Sequence, residues 1–129
     1  MLKKKIVFVD FDGKKRSDLL YFNLTEPELV RLDVSYKGGL EKFVKQLDPE
    51  ERPEEVLELF ETVIRTSYGE KSEDGRYFLK DPDTTTMFMQ SAAYSALFMD
   101  LIQDGEVAAA FVNGLITQTA VQSKAKKVQ

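Results

Sequence analysis

Lys5-Ile6-Val7-Phe8-Val9, then Asp12-Gly13-Lys14, then Leu19-Leu20-Tyr21-Phe22 is the stretch whose reading decides the fold. Side chains alternate across a strand, so each apolar run places hydrophobic groups on both faces. Asp-Gly between two such runs signals a hairpin, because glycine supplies the positive φ that a tight turn needs. Residues 1–24 are therefore read as a β-hairpin. A lone two-stranded hairpin is marginal in water, and helices of the same chain can cover one of its faces. The other face either stays partly exposed or packs against a second copy (a homo-oligomer through the hairpin) or another protein.

Downstream the period changes from strand to helix. Thr25-Glu26-Pro27-Glu28 is a capping box with proline in the first turn, opening a helix that carries Leu29, Leu32 and Tyr36 on one face and ends at Gly38-Gly39. Leu40, Phe43, Val44 and Leu47 make a short amphipathic helix. The acidic, proline-punctuated stretch from Asp48 to Glu55 resembles a metal cluster superficially, but reads as a solvated linker and the acidic first turn of the next helix. That helix, Glu54 to Ser67, is apolar over a wide arc and is expected at the centre of the core, with Gly69 as a left-handed C-cap. Glu70 to Asp83 reads as a polar loop turning at Asp74-Gly75. Two helices follow, or three if Asp83 to Gln90 stands alone. One bears Tyr94, Leu97, Phe98, Leu101 and Ile102. The other bears Val107, Ala110, Phe111, Gly114 and Leu115 after a break at Asp104-Gly105. The periodicity fades over residues 117–129, which contain Lys124, Lys126 and Lys127 and are expected to form a disordered tail. The fold class is α+β, mostly α-helical: an N-terminal hairpin (1–24) packed on a bundle of about five or six helices (25–116), in one domain.

What is missing narrows the chemistry. The 129 residues include no Cys and no His, which removes disulfides, thiolate nucleophiles, the commonest general base and imidazole metal ligands. The net charge of −4 leaves no large basic face for nucleic-acid phosphates. No apolar run is long enough to span a bilayer, and the short run Ile6 to Val9 is too brief for a signal peptide, so a cytosolic protein without membrane contact is expected.

One motif invites an enzymatic reading. Ile6 to Gly13 ends in Asp10-Phe11-Asp12-Gly13, which resembles the first motif of haloacid-dehalogenase-type phosphatases, where the first Asp attacks phosphorus and the second handles a proton beside magnesium. The position after Gly13 holds Lys14 instead of Thr or Val, the chain returns as a strand, and the alternating strands and helices that should deliver the later Lys and acidic pair are absent. A hairpin turn explains Asp12-Gly13 equally well. No catalytic residue, cofactor or metal is expected, and a small regulatory adaptor protein is the other alternative beside the phosphatase-like enzyme.

Three further segments carry a different likeness: Tyr68-Gly69-Glu70-Lys71-Ser72-Glu73-Asp74-Gly75-Arg76-Tyr77-Phe78-Leu79-Lys80, the aromatic-rich run Phe88 to Met99, and Ala108-Ala109-Ala110-Phe111-Val112-Asn113-Gly114-Leu115-Ile116. In this order, after Tyr21 to Thr25 and Gly38-Gly39-Leu40, they resemble the tail assembly chaperones of long-tailed, siphovirus-type bacteriophages. Ser91 stands where that pattern has Thr. The resemblance implies a non-enzymatic protein of the infected host's cytoplasm that keeps the tape measure protein soluble and helps tail tube subunits assemble around it. It also implies, for many such phages, a longer frameshifted form extending from the region after Ile116. Aromatic residues in a polar loop are either pinned inward or offered to a partner, which makes Tyr77 and Phe78 the candidate partner-binding residues.

Overall fold

A computed structural model describes residues 1–128, with side chains described as far as Thr119. Strands β1 (Leu2–Val9) and β2 (Lys15–Phe22) form the N-terminal hairpin. The helices α1 (Glu26–Ser35), α2 (Leu40–Gln46) and α3 (Pro53–Ser67) follow. A second, smaller hairpin of β3 (Tyr68–Lys71) and β4 (Phe78–Leu79) interrupts the helices, which resume as α4 (Pro82–Met89), α5 (Ala92–Gln103) and α6 (Gly105–Val128). The fold is α+β and mostly helical, with six helices among the described residues.

The four strands form one antiparallel sheet in the order β1-β2-β3-β4. The β1–β2 register pairs Leu2 with Phe22, Lys4 with Leu20, Ile6 with Asp18 and Phe8 with Arg16. Ile6, Leu20 and Phe22 of this face are buried in the core, with Leu2 and Phe8 packed against it. β3 and β4 differ from the polar loop expected over 70–83. Tyr21 pairs with Gly69 and Phe22 with Tyr68, so the end of α3 is drawn straight into the sheet. Gly69 is accordingly not a left-handed cap: its φ is not positive, and the C-cap of α3 is Tyr68 in extended conformation. A Cβ at Gly69 would lie 2.6 Å from the Phe78 ring and 2.8 Å from the Leu79 carbonyl oxygen, so glycine is needed there for close approach.

Local signals explain most helix ends. Thr25 and Glu28 form the reciprocal capping box, with the Thr25 N–H donating to Glu28 Oε1 at 2.9 Å. Gly38 (φ 82°) and Gly39 (φ 92°) carry the chain from α1 to α2, and Asp33 accepts from the Leu40 N–H at 2.9 Å. Asp81 caps α4, which stands alone, and Ser91 caps α5 by accepting from the Tyr94 N–H at 3.1 Å. The hydroxyl is what that cap requires, and serine supplies it as threonine would.

The core is organised around α3, whose Leu59, Val63 and Ile64 are fully buried, and α5, whose Leu97 and Leu101 face them. A chain of aromatic contacts links the layers. Phe111 of α6 meets Phe22 edge-on at 5.0 Å, Phe22 meets Tyr68, Tyr68 stacks on Phe88 at 3.7 Å, and Phe88 continues through Tyr94 to Phe98. Such pairs add ~0.5–1.5 kcal/mol each beyond their buried area. The apolar stripe of α6 is shifted from the expected one: Ala108, Phe111, Val112 and Leu115 are buried and Ala110 is exposed. Gly114 lets Leu2 approach, with a Cβ there only 3.0 Å from Leu2 Cδ1. Thr119 is buried, and its hydroxyl lies 3.0 Å from both the Leu24 and the Leu115 carbonyl oxygens. The tail expected over 117–129 falls, from residue 120 onward, outside the described side chains.

Candidate functional site

Asp10 is an organiser of its own turn. Its Oδ1 accepts from the Asp12 and Lys14 N–H groups, each at 2.9 Å, and its Oδ2 is paired with the Arg16 guanidinium. The Arg16 hydrogen bond, joined by the Lys14 N–H, holds the Asp10 carboxyl below its ordinary range. Gly13 (φ 81°) donates to the Asp10 carbonyl oxygen at 3.0 Å and closes the turn. A carboxylate whose oxygens serve a turn in this way is poorly placed to attack phosphorus. Among the described residues, no group of three or more His, Cys, Asp or Glu is arranged to hold a metal ion.

The two aromatic candidates of the second hairpin part company. Phe78 lies over Gly69 and is half-buried, whereas Tyr77 is 66% exposed. The Tyr77 backbone is nevertheless hydrogen-bonded within the hairpin tip. Its N–H donates to Ser72 Oγ at 3.0 Å, its carbonyl accepts from the Ser72 N–H at 2.9 Å, and the Ser72 hydroxyl donates to Asp74 at 2.8 Å. The Arg76 N–H and the Ser72 hydroxyl hold the Asp74 carboxyl below its ordinary value, and Gly75 (φ 75°) makes the reversal.

At the base of this hairpin sits Lys80, which sequence reasoning missed. Its ammonium donates to the Asn23 carbonyl at 3.0 Å and the Thr66 carbonyl at 3.1 Å, and pairs with Glu28. One side chain thus ties the second hairpin to the ends of β2 and α3 and to the first turn of α1. Nothing local marks it, since a lysine at the end of a polar stretch looks solvated and its partners lie 14, 52 and 57 positions away.

Several exposed apolar residues gather on one face and the tip of the first hairpin. On its outer face, Lys3 pairs with Tyr21, Lys5 with Leu19, Val7 with Ser17 and Val9 with Lys15. Val7, Val9 and Leu19 are exposed, and Phe11 at the tip is 84% exposed. The helices of the chain therefore cover one face of the hairpin and leave the other open. A separate apolar groove of ≈ 300 Å³ lies between α2, α3 and the α5–α6 junction, lined by Val44, Leu47, Leu59, Phe60 and Ile102 among others. It has the form of the inter-helix grooves that accept apolar side chains. Among the described residues no helix is long and apolar enough to cross a membrane.

The three segments that suggested a family are structurally connected. Tyr68 to Lys80 is the second hairpin with its lysine, Phe88 to Met99 spans the α4–α5 corner, and Ala108 to Ile116 is the buried part of α6. Tyr68 stacks on Phe88, and Phe22 bridges Tyr68 to Phe111, so the likeness lies in one continuous packing unit. Neither a curated protein nor a solved structure matches the chain. A family model described as phage tail assembly chaperone matches residues 1–129. The chain therefore belongs to the phage tail assembly chaperones.

Proposed function

We propose that this chaperone binds and solubilises the tape measure protein of its phage and promotes assembly of tail tube subunits around it, in the cytoplasm of the infected bacterium. The observation that carries the reading is the bare apolar face of the first hairpin, with Val7, Val9, Leu19 and Phe11 exposed on a chain of this family. Contiguous exposed apolar surface on a folded domain marks an interaction site. Tyr77, exposed on the second hairpin with its backbone hydrogen-bonded to Ser72, is a further anchor, and Phe78 beside it is the more structural of the two. The family points to a non-enzymatic role, and the engagement of Asp10 in its turn supports that reading over phosphatase chemistry. Self-association through the hairpin is the alternative reading of the same surface, and sedimentation of the chain alone decides between the two.

Co-expression with the tape measure protein, followed by solubility and size-exclusion analysis, tests the proposal. A soluble tape measure protein that co-elutes with this chain is the expected result. A tape measure protein that stays insoluble while this chain elutes alone, also when a frameshifted longer form is supplied, overturns it. Tyr77→Ala should leave folding intact and weaken co-elution. Unchanged co-elution removes Tyr77 from the binding surface.

A further inference from the structure

We propose that the outer face of the first hairpin seats one amphipathic helix of the client whose apolar stripe is flanked on both sides by acidic residues. The proposal rests on the client-binding reading and specifies the chemistry of its site. The strand register places the apolar groups on a diagonal. Tyr21 and Leu19 lie on β2 near the base, Val7 and Val9 lie on β1 toward the tip, and Phe11 continues the line at the turn. The two corners off that diagonal are basic. Lys3 and Lys5 stand opposite Tyr21 and Leu19 on one side, and Lys15 stands opposite Val9 on the other. Lys3, Lys5 and Lys15 are all exposed, and the outward positions of the two strands include no acidic residue.

Charge argues for the partner. Residues 1–24 hold six basic and three acidic residues in a chain whose net charge is −4, so the hairpin is a basic segment of an acidic protein, and its outward strand positions carry Lys3, Lys5 and Lys15. Asp10 is already paired with Arg16. The diagonal also continues at its base: Tyr21 pairs with Gly69, and the Phe78 ring lies over Gly69. Eight residues per strand give a face of roughly 26 Å, the length of about 17 residues of helix. A helix is favoured over an added strand because the bare surface consists of side chains, which a helix buries along one stripe. Acidic flanks on that helix would meet Lys3 and Lys5 along one edge and Lys15 along the other, fixing its direction and phase as well as attracting it.

The test uses the full chain and two synthetic helical peptides of about 18 residues. Both carry the same Leu/Ala stripe, one flanked by Glu and the other by Lys, and binding is followed by fluorescence anisotropy. The Glu-flanked peptide should bind about tenfold more tightly at low salt, with the gap closing as salt is raised. In the triple variant Lys3→Glu/Lys5→Glu/Lys15→Glu, whose positions are exposed and whose fold is checked by circular dichroism, the preference should reverse. Equal binding of both peptides, or an unreversed preference, overturns the proposal. So does sedimentation showing that the wild-type chain self-associates through this face and that the triple variant dissociates it, since a second copy is then the occupant. Co-expression separates the levels. If wild type and triple variant solubilise the tape measure protein equally, the client-binding reading stands and this site falls. If neither does, the reading itself has failed.

Discussion

Replacing Lys80 with methionine isolates the contact that joins the second hairpin to the body. Methionine keeps an unbranched apolar stem of similar reach and removes the ammonium, so packing changes little while three interactions disappear. These are the bonds to the Asn23 and Thr66 carbonyls, at 3.0 and 3.1 Å, and the pair with Glu28. The Lys80 side chain is 18% exposed and that of Glu28 30%, which puts the pair between a solvated surface bridge and a buried one. Surface pairs contribute ~0–1 kcal/mol and breaking buried pairs costs ~3–5, so the expected loss is about 2 kcal/mol. For a domain of this size that is a fall in Tm of roughly 6–10 °C. Burial pushes the Glu28 carboxyl up, but the Lys80 ammonium and the Thr25 N–H outweigh it and hold it below its ordinary value. A depressed carboxyl contributes stability that is present above its ordinary value and lost as pH falls through the folded one. Lys80→Met should therefore flatten the acid limb of the stability profile as well as lower Tm at neutral pH. Urea denaturation of wild type, Lys80→Met, Glu28→Gln and the double variant across that pH range measures both effects and their coupling. A loss under ~0.5 kcal/mol with an unchanged acid limb would refute the assignment of Lys80 as a tie between elements.

Substitutions at four other positions probe separate links. Gly69→Ala forces a Cβ against the Phe78 ring and the Leu79 backbone oxygen, and thermal denaturation should show a loss of about 1–3 kcal/mol. Leu97→Ala empties a site with no solvent exposure beside α3 and should cost ~2–5 kcal/mol in urea denaturation. Ser91→Thr should be near neutral in the same assay and Ser91→Ala should cost ~1 kcal/mol, because the α5 cap uses only the hydroxyl. Asp10→Asn should leave client solubilisation unchanged in co-expression, and magnesium-dependent phosphatase turnover that vanishes in this variant would reinstate the enzymatic reading.

What the sequence discloses about this fold depends on how far each signal reaches along the chain. The first hairpin, the α1 capping box, the wide apolar arc of α3 and the α5 stripe are local patterns, and each element stands where its pattern put it. β3 and β4 escaped because four and two residues are too short to display alternation, and Tyr68-Gly69-Glu70-Lys71 offers one strong strand former among polar neighbours. Gly69 differs from the expected left-handed cap for a related reason. A glycine just after a helix serves either a left-handed cap or a close approach, and only the position of Phe78, nine residues on, decides between them. The same limit hid Lys80. For the candidate site, the apolar character of both hairpin faces was legible, but which face the helices cover follows from the register with Leu2, Ile6, Phe8, Leu20 and Phe22 turned inward.

That division of faces bears on how a protein can offer apolar surface without collapsing onto its own kind. The covered face is joined to the core through Phe22 and its contacts with Tyr68 and Phe111, so the hairpin is anchored whether or not its outer face is occupied. The outer face bears lysines at the corners of its apolar diagonal, and charged residues of this kind guard exposed strands against stacking on identical copies, because like charges meet. The same lysines attract an acidic helix. On the proposed reading, one set of residues would separate client from copy by sign of charge. Specificity of this kind should weaken in both directions at once when salt is raised, with client binding falling and self-association rising.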